Sequence, residues 1–95
     1  MSQQFNVAVL GASGAVGQAM IEILEERGFP VATLYPLASS RSAGDTVRFG
    51  GKNIEIKDVE EFDWSQVQIA LFSAGAEVSA KWAPIAAEQG CIVIA

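Results

Sequence analysis

Histidine is absent from this 95-residue chain, and cysteine occurs once. Cys–His and Ser–His catalysis are therefore excluded inside it, and a His/Cys zinc site is all but excluded. A single cysteine also leaves no internal disulfide framework, so a reducing, cytoplasmic home is expected. Positive charge is scarce. Six Lys and Arg stand against eleven Asp and Glu, a net charge of −5, which argues against broad nucleic-acid binding through a basic face. No apolar run approaches the ~18 residues of a membrane span, and the opening MSQQFN has no basic, long-apolar signal pattern. Nucleic acid and membrane are thus not expected as partners. Charge of either sign is low, at 18%, where about 25% is usual. A lone body of this length has much surface for its volume and should need more. The expectation is one domain over residues 1–95, a piece of a larger protein with apolar surface meant for a partner segment.

What is present is a regular alternation of apolar strands and amphipathic helices. Phe5–Leu10 is a near-continuous apolar run of strand length ending at Gly11, as suits a parallel strand covered on both faces. From Ala15 to Glu26, Val16, Ala19, Met20, Ile23 and Leu24 recur at helical spacing. Gly28, Phe29 and Pro30 then supply a left-handed stop, an apolar fold-back onto Leu24, and a bar to continuation. Val31–Ala38 reads as a second strand with Pro36 near its end, followed by a polar loop over Ser39–Asp45. Val47–Phe49 and Lys52–Ile56 flank Gly50-Gly51 as a hairpin. The acidic stretch Asp58–Asp63 reads as loop or one helical turn, and Val67–Phe72 as another strand. Glu77–Gln89 is helical in composition, with Pro84 implying a kink or two short pieces. Cys91–Ile94 begins a further buried strand. The sum is an α/β fold: a Rossmann-like, doubly wound, mainly parallel sheet, truncated after about the fifth or sixth strand.

Gly11-Ala12-Ser13-Gly14-Ala15-Val16-Gly17 stands between the first strand and the first helix. Its G-x-x-G-x-x-G spacing is a variant of the dinucleotide fingerprint. Gly11 permits the turn out of the strand, Gly14 lets the backbone approach a pyrophosphate, and Gly17 lets the helix sit close on the sheet. Free amides around Ser13–Val16 and the helix dipole would then face phosphate, with the Ser13 hydroxyl as a further donor. The competing reading is a tight turn with no ligand. Sites specific for NAD usually carry an acid about 20 residues further on, yet no acidic residue lies between Gly28 and Gly44. Arg41, among Ser39, Ser40 and Ser42, instead suits the 2′-phosphate of NADP. Its alternative is a solvated loop arginine. Ser73-Ala74-Gly75 ends a strand before a helix at the same sheet edge, either approaching the nicotinamide-side ribose or serving as a plain turn.

Other residues are set aside from chemistry. Cys91 is followed by Ile92, Val93 and Ile94, and nothing near it in sequence would lower its pKa, so it reads as a small core hydrophobe. Trp82 and Ile85 read as packing a helix on the sheet, and Trp64 as a loop anchor. Asp58, Glu60, Glu61 and Asp63 lack the spaced ligands of a calcium loop and read as a solvated turn. No catalytic and no metal-binding residue is assigned.

Three stretches, NVAVLGASGAVGQAM, PLASSRSAG and IALFSAGAEVSAKWAPIAAEQGCIVI, together resemble the N-terminal cofactor domain of the aspartate-β-semialdehyde dehydrogenases. The likeness extends over essentially all of the chain. It implies NADP as cofactor and, for the parent enzyme, NADPH-dependent reductive dephosphorylation of L-aspartyl 4-phosphate to aspartate 4-semialdehyde, feeding lysine, threonine and methionine synthesis. It places cofactor contacts on Ser13, Gly14, Ala15, Val16, Arg41 and Ser42, and matches Ser73, Ala74 and Gly75 to the family's second cofactor loop. Gly11 and Ser39 complete the candidate set. Ser13 replaces a threonine common in the family and keeps the hydroxyl. The family's cysteine nucleophile, histidine base and substrate-binding domain lie beyond the equivalent of Ala95. The chain is therefore expected to hold NADP(H), to lack turnover without its C-terminal partner domain, and to form a homo-oligomer through an exposed last strand. The alternatives are the same domain of a non-catalytic paralogue with a binding or interaction role, and a bare scaffold without cofactor affinity.

Overall fold

The computed structural model describes residues 3–94. Its elements are β1 (Phe5–Leu10), α1 (Ala15–Glu26), β2 (Val31–Ala38), β3 (Thr46–Phe49), β4 (Lys52–Glu55), β5 (Lys57–Asp58), β6 (Ile69–Phe72), α2 (Ala76–Glu88) and β7 (Ile92–Ile94). Five strands form one parallel sheet in the order β5-β2-β1-β6-β7. The chain thus moves one way from β1 to β2 and later returns to β1's other side with β6, as a Rossmann-like fold requires. That reversal creates a crevice at the carboxyl ends of β1 and β6.

Both faces of the sheet are covered, which is why β1 reads as continuously apolar. Its residues alternate between two cores. Ala8 and Leu10 join Leu37, Phe72, Trp64, Trp82 and Ala86 on the α2 side. Val9 and Ala12 join Ile21, Leu34 and Val47 on the α1 side. Pro36 is accommodated because Leu37 turns its carbonyl toward β1. Pro36 therefore faces β2's other edge, where β5 pairs only with Leu37 and Ala38, and its missing N–H interrupts no bond to β1. The hairpin β3–β4 forms a separate antiparallel pair in register Phe49↔Lys52. Gly50 and Gly51 turn it at φ +61° and +78°, the sign of both angles in a type I′ turn.

Several expectations are corrected. α1 buries Gly17 and Ile21, with Val16 and Ile23 exposed at 60% and 52%. Glycine carries no hydropathy weight, so the apolar pattern missed that Gly17 marks the contact face. α2 buries Trp82 and Ala86, leaving Ile85 outside the core. It is one continuous helix despite Pro84, because Ala80, whose carbonyl loses its partner, lies on the exposed side. The strand expected over Val67–Phe72 starts at Ile69, after a 3₁₀ turn at Trp64–Gln66. β7 lies at the sheet edge, as expected of the last strand, but it is not buried: Ile92 and Ile94 are exposed at 64% and 49%. The helix stop is as expected: Phe29 N–H donates to the Leu24 carbonyl and Gly28 N–H to that of Glu25, the two bonds of a Schellman ending. Phe29's ring leans on Phe5, centroids 6.2 Å apart.

Candidate functional site

At the end of β1 the chain turns at Gly11, whose φ of +91° is closed to most side chains. The amides of Gly11 and Ala12 both donate to the Leu37 carbonyl, at 2.9 and 3.0 Å, tying the bend to β2. The Gly14 amide donates to the Gly11 carbonyl at 3.1 Å. This corrects the expectation that it stays free. Among the described residues, the amides of Ser13, Ala15 and Val16 meet no acceptor. They sit at the N-terminus of α1, where no side chain caps the helix and its first turn carries no acid. Three unpartnered donors at the positive end of a helix dipole are a cradle for an anion.

Glycine is required here by space as well as by angle. A Cβ on Gly17 would collide with the Gly11 carbonyl oxygen and fall 2.8 Å from its carbon. The Ser73 hydroxyl occupies the same volume, 2.9 Å from that Cβ and 2.7 Å from one built on Gly11. It donates to the Leu10 carbonyl at 2.9 Å, with the Gly11 carbonyl oxygen 3.3 Å away. Ser73 thus reaches inward and locks the second loop to the first. Gly14, by contrast, has only the Gly11 carbonyl oxygen within reach of a Cβ, at an ordinary 3.5 Å.

Between these loops opens a cleft of about 490 Å³, within the range of small-molecule sites. Of the expected residues, Gly11, Ser13, Ser39 and Ala74 line it. Gly14, Ala15 and Val16 stand beside it in the first bend, and Gly75 caps α2 from an exposed position. Arg41 and Ser42 sit on the adjoining turn, in which the Ser39 carbonyl accepts from the amides of Ser42 and Ala43 at 3.0 and 3.1 Å. Arg41 is exposed and, among the described residues, pairs with no carboxylate.

The far wall was not foreseen. It comprises Val59 and Glu60, from the 3₁₀ turn after β5, and Glu77, Val78, Lys81 and Trp82 from α2. Two-residue β5 is too short to leave a periodic signal, so nothing in the sequence placed that turn beside β2. The α2 residues were recoverable from their i, i+1, i+4, i+5 spacing, which puts them on one helical face. Trp82 does pack the helix as expected, and its ring also forms part of the cleft.

Cys91 lies outside the cleft. Its sulfur is buried, 3.2 Å from the Trp64 carbonyl oxygen and 3.3 Å from that of Val67, and burial pushes its thiol pKa up. A thiolate there would face two carbonyl dipoles. Iodoacetamide at pH 8 is expected to alkylate Cys91 at least roughly tenfold more slowly than a free thiol, and denaturant should restore the free rate. Rapid modification of the folded chain would show the site to be open.

The family profile described as "Semialdehyde dehydrogenase, NAD binding domain" matches residues 6–95. The chain is 77% identical to the aspartate-semialdehyde dehydrogenase of Shewanella violacea over 99% of its own length and 28% of that protein's. It is 46% identical to the USG-1 protein homolog of Azotobacter vinelandii, again over 99% of the chain and 28% of the relative. The crystal structure of aspartate semialdehyde dehydrogenase II from Vibrio cholerae complexed with ASA superposes with a TM-score of 0.94 at 67% identity. That match covers 96% of this chain and 30% of the other. The chain thus spans somewhat over a quarter of the length of these relatives.

Proposed function

Since the chain belongs to the semialdehyde dehydrogenase NAD-binding-domain family, we propose that it is the NADP-holding domain of an aspartate-semialdehyde dehydrogenase. The parent reaction on this reading is the NADPH-dependent conversion of L-aspartyl 4-phosphate to aspartate 4-semialdehyde. The observation that carries the nucleotide reading is the set of unpartnered amides of Ser13, Ala15 and Val16 opening beside the cleft at the sheet's reversal point. The bend fits a diphosphate, because the amides of Ser13, Ala15 and Val16 are donors without a partner among the described residues and the first turn of α1 carries no acid to repel an anion. Ser13 adds a hydroxyl at its rim, and Ser39, Arg41 and Ser42 receive the 2′-phosphate. Ala74 and Gly75 border the path toward the nicotinamide, while Ser73 positions that loop from behind. The nicotinamide, when bound, supplies or accepts the hydride. The chain's own contribution is to bind and orient. A cytoplasmic location and self-association along the open edge of β7 complete the reading.

Calorimetric titration with NADP, NAD and adenosine 2′,5′-bisphosphate tests it. NADP is expected to bind at least about tenfold more tightly than NAD, with the bisphosphate competing for the NADP site. A folded chain that takes up none of the three refutes the nucleotide reading.

A second reading is the same domain of a paralogue using the scaffold for binding or interaction without turnover; one relative carries a name other than that of the dehydrogenase, the USG-1 protein homolog. Nicotinamide reduction driven by aspartate semialdehyde and phosphate, assayed on the complete protein, separates the two.

A further inference from the structure

We infer that Glu60 reads the base of the nucleotide, accepting a hydrogen bond from the 6-amino group of adenine, and that Lys81 is the positioning residue that holds it. The inference rests on the dinucleotide reading above. With diphosphate at the Ser13 bend and the ribose phosphate at the Ser39–Ser42 turn, the wall left for the base is the far one. Val59, Val78 and the Trp82 ring give that wall an apolar surface for a flat heterocycle. At its rim stand Glu60 and Lys81, 21 residues apart in sequence and joined by an ion pair of 3.2 Å.

Glu60 is held from two directions. Its amide donates to the Asp58 carboxylate at 2.9 Å, fixing the 3₁₀ turn, and Asp58 is itself in register with Ala38 of β2. Its Oε2 is engaged by Lys81, whose ammonium also sits 4.9 Å from the centroid of the Trp82 ring. Oε1 has no partner among the described residues. A carboxylate oxygen only accepts, so it selects a base that presents a donor. Adenine's 6-amino group donates, whereas hypoxanthine places an acceptor at that position, which would face the carboxylate in repulsion, and its nearest donor is shifted to N1–H. Glu77, the cleft's other acid, belongs to the first turn of α2, where the helix dipole favours it.

The test compares NADP with its hypoxanthine analogue by calorimetry on the wild-type chain and on Glu60→Gln and Lys81→Met. Wild type should prefer NADP by about tenfold. Glu60→Gln, whose amide can donate as well as accept, should bring the two within about threefold while leaving the NADP-to-NAD ratio in place. Lys81→Met should give an intermediate ratio, since Glu60 is retained but no longer held. Equal binding of the two nucleotides by wild type, or an unchanged preference in Glu60→Gln, overturns the role of Glu60. Absence of binding by either nucleotide to folded wild type removes the dinucleotide reading itself, and this inference with it. Both side chains are exposed, so the variants should fold, and matched thermal unfolding midpoints check that they do.

Discussion

Gly17→Ala is expected to lower the thermal unfolding midpoint by roughly 10–20 °C, from a loss of about 3 kcal/mol. The direction is opposite to what helix propensity alone dictates. In a helix interior, Ala is ordinarily better than Gly by roughly 0.5–1 kcal/mol. Here the new Cβ meets backbone, the carbonyl of Gly11, and behind it the Ser73 hydroxyl. The carbonyl cannot swing aside, because the Gly11 and Ala12 amides hold the bend to Leu37 and Gly14 closes it. Relief therefore requires α1 to lift off the sheet and expose Ile21, its fully packed anchor. Gly14→Ala is the matched control. Its Cβ would be in ordinary contact and its backbone is already extended, so stability should change by under about 1 kcal/mol. A Gly17→Ala protein as stable as wild type would show that the helix is not seated as described.

Arg41→Ala is expected to weaken NADP binding by about 1.5–3 kcal/mol, roughly 10- to 150-fold, and to leave NAD within about twofold. The guanidinium is presented by the short turn closed on the Ser39 carbonyl and is engaged by no acid among the described residues. No carboxylate between Gly28 and Gly44 competes with a phosphate for it. Arg41→Lys should recover part of the loss, since a point charge replaces a planar fork. Competition calorimetry at fixed ionic strength measures all three proteins. Equal weakening of NADP and NAD would mean that Arg41 acts through the fold of the turn and not on the extra phosphate.

The parts of the fold legible in the sequence are those in which each residue reports its own surroundings. β1 is apolar throughout because both sheet faces are covered, and Gly28-Phe29-Pro30 ends α1 by local geometry alone. The glycine bend was legible because three spaced glycines between a strand and a helix mark it locally, although the space around Gly11 is set by Ser73 and Ala74. What escaped detection depends on approach from a distance. β5 is two residues long and is specified by pairing with Leu37 and Ala38, so the single helical turn legible within Asp58–Asp63 gave no sign that it brings Val59 and Glu60 to the cleft. The rotation of α1 was hidden because its contact face begins at a residue without a side chain. Ser73 was singled out for facing a ligand, yet its hydroxyl reaches the main chain of the first bend, an orientation that no spacing encodes.

That hydroxyl carries an evolutionary corollary. Ser73, Gly11 and Gly17 share one small volume, so what position 73 can carry is conditional on the two glycines, and the dependence runs one way. Ser73 can shrink, because a lost hydroxyl forfeits its contacts to the Leu10 and Gly11 carbonyls while the Ser73 amide still donates to Leu10. Neither glycine gains freedom from that change, since Gly17 is still blocked by the Gly11 carbonyl and Gly11 by its positive φ. Drift through homologous sequences should therefore pass through position 73 in one direction and stop at the glycines, a ratchet built from main chain.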